Sequence, residues 1–201
     1  AEKLFREALK DEFILKRPIG QAINYANLGA IFEQRQQYDS AYSYFEKSLE
    51  QNKIAKSDMG IGLCMIHIAE IYEKEQKYEL AKAEYQKAYK LMTQISDKWH
   101  WLEACLSIAR IHLITGNIAE FNSYIQSAEN TANQFKSPEH LATVYLLKHD
   151  YNIRQGNHQF ALQYYKLHKA MQDSVQGIQK ENRFMTMRLG YEQSKNALRF
   201  Q

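Results

Sequence analysis

The chain has 201 residues, 45% of them hydrophobic and 24% charged, with only 8 Gly and 2 Pro. So few helix-breaking residues exclude a turn-dense all-β chain, a collagen-like chain and a low-complexity linker, and leave long uninterrupted helices. The net charge of +3 comes from 26 basic and 23 acidic residues interleaved along the chain, which gives nucleic acid no patch to bind.

Nothing in the chain reads as a membrane span, which needs roughly 18 consecutive apolar residues. The best run, Gly60 to Ala69, is interrupted by His67. The first residues, AEKLFREALKDEF, form an amphipathic helix with charges throughout and lack the basic start, apolar centre and cleavage site of a signal peptide. Cys64 and Cys105 have no metal-type spacing and are expected to be buried thiols.

Written in rows of forty residues, the chain shows columns of matched character. One reads Phe5, Phe45, Tyr85, Ile125, Tyr165, and others read Tyr25, Met65, Cys105, Tyr145 and Ile31, Ile71, Ile111, Tyr151. Small residues recur at Gly29, Ala69 and Ala109, and at Ala1, Ala41, Ala81 and Ala161, with Phe121 the exception; such columns mark where two helices approach closely. Within a row the 3.6-residue period runs twice, so each row is a helical hairpin.

Taken in order, the elements begin with a half repeat over residues 1–17. Ala1, Leu4, Phe5, Ala8 and Leu9 fall in second-helix columns with no first helix before them. This reads as a piece of a longer protein, the other reading being a capping helix that imitates the pattern, and the uncovered face is expected to self-associate. Four full repeats follow at about 21–56, 58–96, 98–136 and 138–173, so that residues 1–173 form a solenoid. Their helices are expected at about 21–35, 38–54, 59–75, 78–95, 99–115, 118–135, 138–155 and 158–173. The turns fall at Gln36-Gln37, Gln76-Lys77, Gly116-Asn117 and Gly156-Asn157, and Ser137-Pro138 reads as an N-cap serine followed by proline at the first helical position.

Residues 174–201 continue as a C-terminal helix after the columns stop at Asp173-Ser174. Val175, Ile178, Met185 and Leu189 give it an apolar stripe interrupted by Asn182 and Glu192, and Lys180, Arg183, Arg188, Lys195 and Arg199 make it basic. If this helix transmits a signal, Val175, Ile178 and Met185 should dock on the fourth hairpin while the part beyond Leu189 projects. The bland alternative is a cap on the open end of the solenoid, and the helix is a second place where copies could associate.

The stretch from Tyr25 to Leu49 resembles the tetratricopeptide repeat through Tyr25, Leu28, Gly29, Phe32, Tyr38, Ala41, Phe45 and Ser48. The second row matches through Met65, Ile68, Ala69, Tyr72, Tyr78, Ala81, Tyr85 and Ala88, while later rows drift, with Phe121 for alanine and His149 and His168 for small residues. The resemblance implies an all-α fold, an α-α superhelix of about four and a half hairpins. The forty-residue row is longer than the common form and is similar to repeats of bacterial regulatory proteins. The segment Met171 to Asn196, with Asp173-Ser174 and Tyr191-Glu192, resembles the region after the last repeat of bacterial tetratricopeptide sensors and transcription regulators. Such proteins continue into a transmembrane helix and a kinase or a DNA-binding domain, which implies a periplasmic or cytoplasmic part of a longer bacterial protein.

No catalytic motif appears and no cofactor is implied. His149, His158 and His168 occupy the fourth hairpin, but substitution in a degenerate repeat explains them better than a metal site does. Of the 14 Tyr, half fall in packing columns, which favours core over a stacking platform. Function in a solenoid sits on the concave face lined by the first helices. One lining column holds Ala30, Glu70, Arg110 and Asp150; a neighbour holds Glu33, Glu73, Leu113 and Ile153. Ala26, Ile66, Leu106 and Leu146 are expected as an apolar floor, and Arg110 and Arg154 as isolated cations. The places that hold a peptide carboxylate in chaperone-binding repeats lack Lys and Asn here, so that clamp is absent. The expected function is a non-enzymatic protein- or peptide-binding region of a bacterial signalling or transcription-regulating protein, with a free-standing scaffold as the alternative.

Overall fold

In a computed structural model of the protein, residues 1–199 are described, with side chains for all of these except 184 and 188–199. The helices are α1 (Glu2–Ile14), α2 (Pro18–Gln34), α3 (Tyr38–Ile54), α4 (Asp58–Lys74), α5 (Tyr78–Gln94), α6 (Lys98–Thr115), α7 (Ile118–Gln134), α8 (Pro138–Arg154) and α9 (His158–Arg199). Their order is that of hairpins in series, and no strand occurs among the described residues.

The helices end at a regular interval of half a row. Lys16, Gln36, Lys56, Gln76, Ser96, Gly116, Lys136 and Gly156 all have positive φ, between 50° and 83°. Behind each, the next amide reaches back over the turn: Arg17 N–H to Glu12 O at 3.0 Å, Gln37 to Phe32 at 2.9 Å, Asp97 to Met92 at 3.0 Å, Asn157 to Asn152 at 2.9 Å. This is the left-handed helix stop, which satisfies otherwise orphaned carbonyls. Only two of the eight stops use glycine.

The residue after each stop then opens the next helix. Arg17, Ser57, Asp97 and Ser137 are extended, and Pro18 and Pro138 begin α2 and α8. Proline at Pro18 starts α2 three residues earlier than the sequence pattern indicated, because a missing N–H costs nothing in a first turn. Ser57 Oγ accepts from Gly60 N–H and Asp97 from His100 N–H. Ser137 stands at the N-cap position but its hydroxyl makes no cap bond; it pairs with His140 Nδ1 at 2.7 Å instead.

Two compact units divide the chain, Ala1–Tyr124 and Ile125–Gln201. In the first, Ala41, Phe45, Ile68 and Ile71 form a core between α3 and α4, rimmed by Tyr38, Tyr42 and Tyr72. Ile66, Ala69, Ala81, Tyr85, Ala88, Ala104, Ile108 and Ile111 form another among α4, α5 and α6. The small columns work as close contacts: a Cβ on Gly29 would stand 2.7 Å from the Phe45 ring. Both cysteines are free and buried, and burial pushes the Cys105 thiol up to about 12. α1 buries no residue fully, and Leu4 is exposed.

In the second unit, α8 packs on α9. His149 Nδ1 bonds Ala161 O at 2.9 Å, and His168 Nδ1 bonds Ala142 O at 2.8 Å, so each histidine donates to a carbonyl of the facing helix. Ser48 does the same in the first unit, to Ala22 O at 2.8 Å, from the column that His168 shares. The histidines that depart from the small-residue pattern therefore hold a hairpin together.

α9 runs without a break through Asp173-Ser174, so the second helix of the fourth hairpin and the C-terminal segment are one element. His168 is its last buried residue among the described side chains, while Ile178 and Met185 are 43% and 53% exposed. Of the residues expected to dock, Val175 is half-buried, while Ile178 and Met185 do not dock, because α9 outruns α8. The basic residues Arg188, Lys195 and Arg199 and the Tyr191-Glu192 pair lie outside the residues whose side chains are described.

Because no atom lies within 4 Å of a Cβ placed on Gly116, its role is backbone conformation alone. Gly116→Ala should cost about 1 kcal/mol and lower the urea midpoint with no change in slope, whereas Gln76→Gly should be neutral or slightly stabilising. Equal destabilisation by both would contradict the left-handed stop as the cause.

Candidate functional site

On one face of the first unit, α2, α4 and α6 are joined by two ion pairs, each reaching back one hairpin. Lys74 of α4 bonds Glu33 of α2. Arg110 of α6 forks onto Glu73 of α4, with Nε 2.6 Å from Oε1 and Nη2 2.9 Å from Oε2, and Nη2 also donates to Ser107 Oγ at 3.1 Å. Tyr85 of α5, fully buried, donates its hydroxyl to Glu73 Oε2 at 2.9 Å. Glu73 thus accepts three hydrogen bonds from two residues, and a paired, planar guanidinium fixes it more firmly than an ammonium could.

A cavity of about 320 Å³ opens beside these pairs, lined by Glu33, Glu70, Glu73, Lys74 and Arg110. Glu70 belongs to neither pair. Its Oε2 lies 3.0 Å from His67 Nδ1, and the His67 ring stacks on buried Phe45 with centroids 4.9 Å apart and planes 15° from parallel. Burial favours neutral imidazole, but the Glu70 hydrogen bond and the charges of Glu70, Glu33 and Glu103 outweigh it, and hold His67 above the ordinary histidine range. Glu103 is pushed up by burial and by like-charged Glu70, with His100 and His67 opposing. Burial, then Glu73 and Glu70, raise the Tyr85 phenol, which keeps it a donor.

His112, in the last turn of α6, shows the opposite balance. It is buried and stacked on Tyr124 at 5.7 Å, and its Nδ1 has no hydrogen-bond partner. Burial and the positive charge of Lys82 hold it below the ordinary range.

Of the residues expected to line the face, Glu33, Glu70, Glu73 and Arg110 meet in this cavity. Arg110 is not an isolated cation, since Glu73 neutralises it. Ile66 and Leu106 are 4% and 3% exposed, so these two members of the expected apolar floor are not accessible, while Ala26 is half-buried; Ile66 packs among Ala69, Ala104 and Ile108 between hairpins. Ile66 thus belongs to the core shared by α4, α5 and α6. Leu113 is buried as well. In the second unit, Leu146 is exposed at 37%, Asp150 is half-buried and Arg154 is exposed on α8. Lys74, His67 and Tyr85 were not legible as site residues; the signal was a basic residue about one row after an acidic one, which matches Lys74 to Glu33 and Arg110 to Glu73.

Residues 20–94 match the family model described as Tetratricopeptide repeat. Solved structures of the same fold include BtubC (BKLC) from P. vanneervenii, 16% identical with a TM-score of 0.74, covering 88% of this chain and 74% of that one. The Rap conjugation gene regulator of plasmid pLS20, in complex with the Phr* peptide, is 14% identical with a TM-score of 0.68 over 84% of this chain and 52% of that one. The STAND protein PH0952 from Pyrococcus horikoshii, which has a tetratricopeptide repeat sensor, is 17% identical with a TM-score of 0.68 over 89% of this chain and 28% of that one. No curated protein matches the chain. Residues 20–94 therefore carry the tetratricopeptide pattern, and over most of the chain the helical hairpins have the all-α fold of these structures.

Histidine titration by NMR should place His67 above and His112 below about 6.5, and Glu70→Gln should lower the His67 value. The stability signs differ accordingly. His67, raised on folding, contributes stability below about pH 6.5 that is lost as pH climbs through its folded value; His112, depressed on folding, removes stability as pH falls below about 6.5. Leu106→Ala should destabilise by about 2–5 kcal/mol, the cost of a core cavity, and denaturant unfolding measures it. Tyr85→Phe should cost about 1.5–3 kcal/mol, since a hydrogen bond to a charged group is lost; a near-zero effect would remove Tyr85 from the network.

Proposed function

We propose that the chain is a non-enzymatic protein- or peptide-binding region of a bacterial signalling or transcription-regulating protein, and that the face carried by α2, α4 and α6 holds the partner. The observation that carries this reading is the charged cavity of the first helices, which is open, half-buried and braced from behind by Tyr85. Packing alone does not require a ladder of ion pairs there, since the desolvation of half-buried charges offsets much of their attraction. Charges set in a recess instead select a partner and its register. The Rap regulator bound to the Phr* peptide and the sensor of the STAND protein support this reading through likeness of fold. Nothing in the arrangement pairs a nucleophile with a base, and the groups with shifted titration serve ion pairs and packing.

Selection of peptides from a random display library on the immobilised protein tests the reading. Selected peptides should lose binding by about tenfold or more on Arg110→Glu and on Glu70→Lys, and be unaffected by Asp39→Asn on α3. Peptides that bind both charge-reversed variants as tightly as the original would place the partner elsewhere.

A further inference from the structure

We infer that the cavity between α2, α4 and α6 receives one cationic side chain, arginine or lysine, of a partner polypeptide, with the Glu70 carboxylate as its counter-ion. This rests on the reading of that face as a binding surface and goes on to say what it recognises.

Three carboxylates and two fixed cations line the cavity. Both cations are already matched: Lys74 to Glu33, Arg110 to both oxygens of Glu73. An incoming anion would meet cations that are engaged and a surplus of carboxylate. Glu70 is the carboxylate left over, and its hydrogen-bond partner is an imidazole, which carries charge only when protonated. Glu70 is also 38% exposed, so a ligand can reach it. Stacking on Phe45 favours the ring position in which His67 faces Glu70. The carboxylates of Glu33 on α2 and Glu103 on α6 act on His67 along with Glu70, while Lys74 and Arg110 stand on the same face.

A basic side chain at Glu70 takes the role that protonated His67 otherwise fills. Where His67 is protonated, binding therefore displaces its proton, and His67 becomes a reporter of occupancy. The guanidinium of arginine suits the site well, since it can fork onto one carboxylate while a second lies nearby.

The test uses the whole chain and short capped glycine peptides that carry a central arginine, with the ring signals of His67 followed by NMR. At a pH below the midpoint found for His67 in the free protein, the arginine peptide should move the His67 signals saturably toward the neutral form. The same peptide with citrulline, uncharged and of similar shape, should bind at least about fivefold more weakly, and Glu70→Gln should weaken the arginine peptide by a similar factor. Asp39→Asn should leave binding unchanged, and far-ultraviolet circular dichroism should confirm that Glu70→Gln is folded. An equal response to citrulline, or an undiminished response in Glu70→Gln, would overturn the assignment. Free argininamide binding as tightly as the peptide would overturn the polypeptide as the source of the cation. Display-selected peptides that bind this face without any basic residue would overturn the cation and leave the face a binding surface.

Discussion

Every hairpin in this protein depends on one backbone conformation, a single residue in the left-handed region at intervals of half a row. The stop fixes where each helix ends, and the amide that follows it closes the turn onto the helix just finished. Because the interval is constant, residues a full row apart return to the same face, and a repeating apolar pattern becomes a stack of equivalent contacts. Glycine is not essential to this: Lys, Gln and Ser fill six of the eight stops. Each such residue opposes folding by about 1–2 kcal/mol, so packing across the hairpins must outweigh a recurrent local cost. That packing is dense where it matters, with Phe45 and Tyr85 fully buried against Gly29 and the alanine columns.

The same regularity lets polar groups act across hairpins. Lys74 and Arg110 each reach a glutamate one hairpin back, and Tyr85 braces the second pair from the core. The ladder is a product of the repeat, yet its rungs are chemically different. One is an exposed ammonium, one a braced guanidinium, and beside them stands a glutamate opposite a titratable ring. A face assembled this way varies in chemistry from hairpin to hairpin while its spacing stays fixed.

Much of this could be read before any coordinates. The forty-residue columns located the hairpins, and helix limits agree within about three residues except at the end of α9, which runs on past residue 173. Acidic Glu33, Glu70 and Glu73 with Arg110 were legible as one face because their columns differ by a helical turn. The inward turn of Ile66 and Leu106 was not, since an apolar residue beside the groove has the same period whether it lines the groove or the packing between hairpins. Nor was the Tyr85 hydroxyl: a core column predicts burial of a ring, not the direction of its oxygen. His149 and His168 read as decay of the pattern, but the imidazole nitrogen finds a carbonyl where a small residue would only have allowed approach. The end of packing along α9 leaves no mark in the sequence, because helix-forming residues continue after the neighbouring helix has stopped.

His168 is fastened to the backbone of α8, and about 31 residues of helix follow to Arg199, a length of about 46 Å. A tilt of about 5° at that fastening carries the far end of the helix about 4 Å, the width of a carbon chain. An angular change too small to disturb the α8 contacts thus becomes a displacement large enough to make or break an atomic contact at its tip.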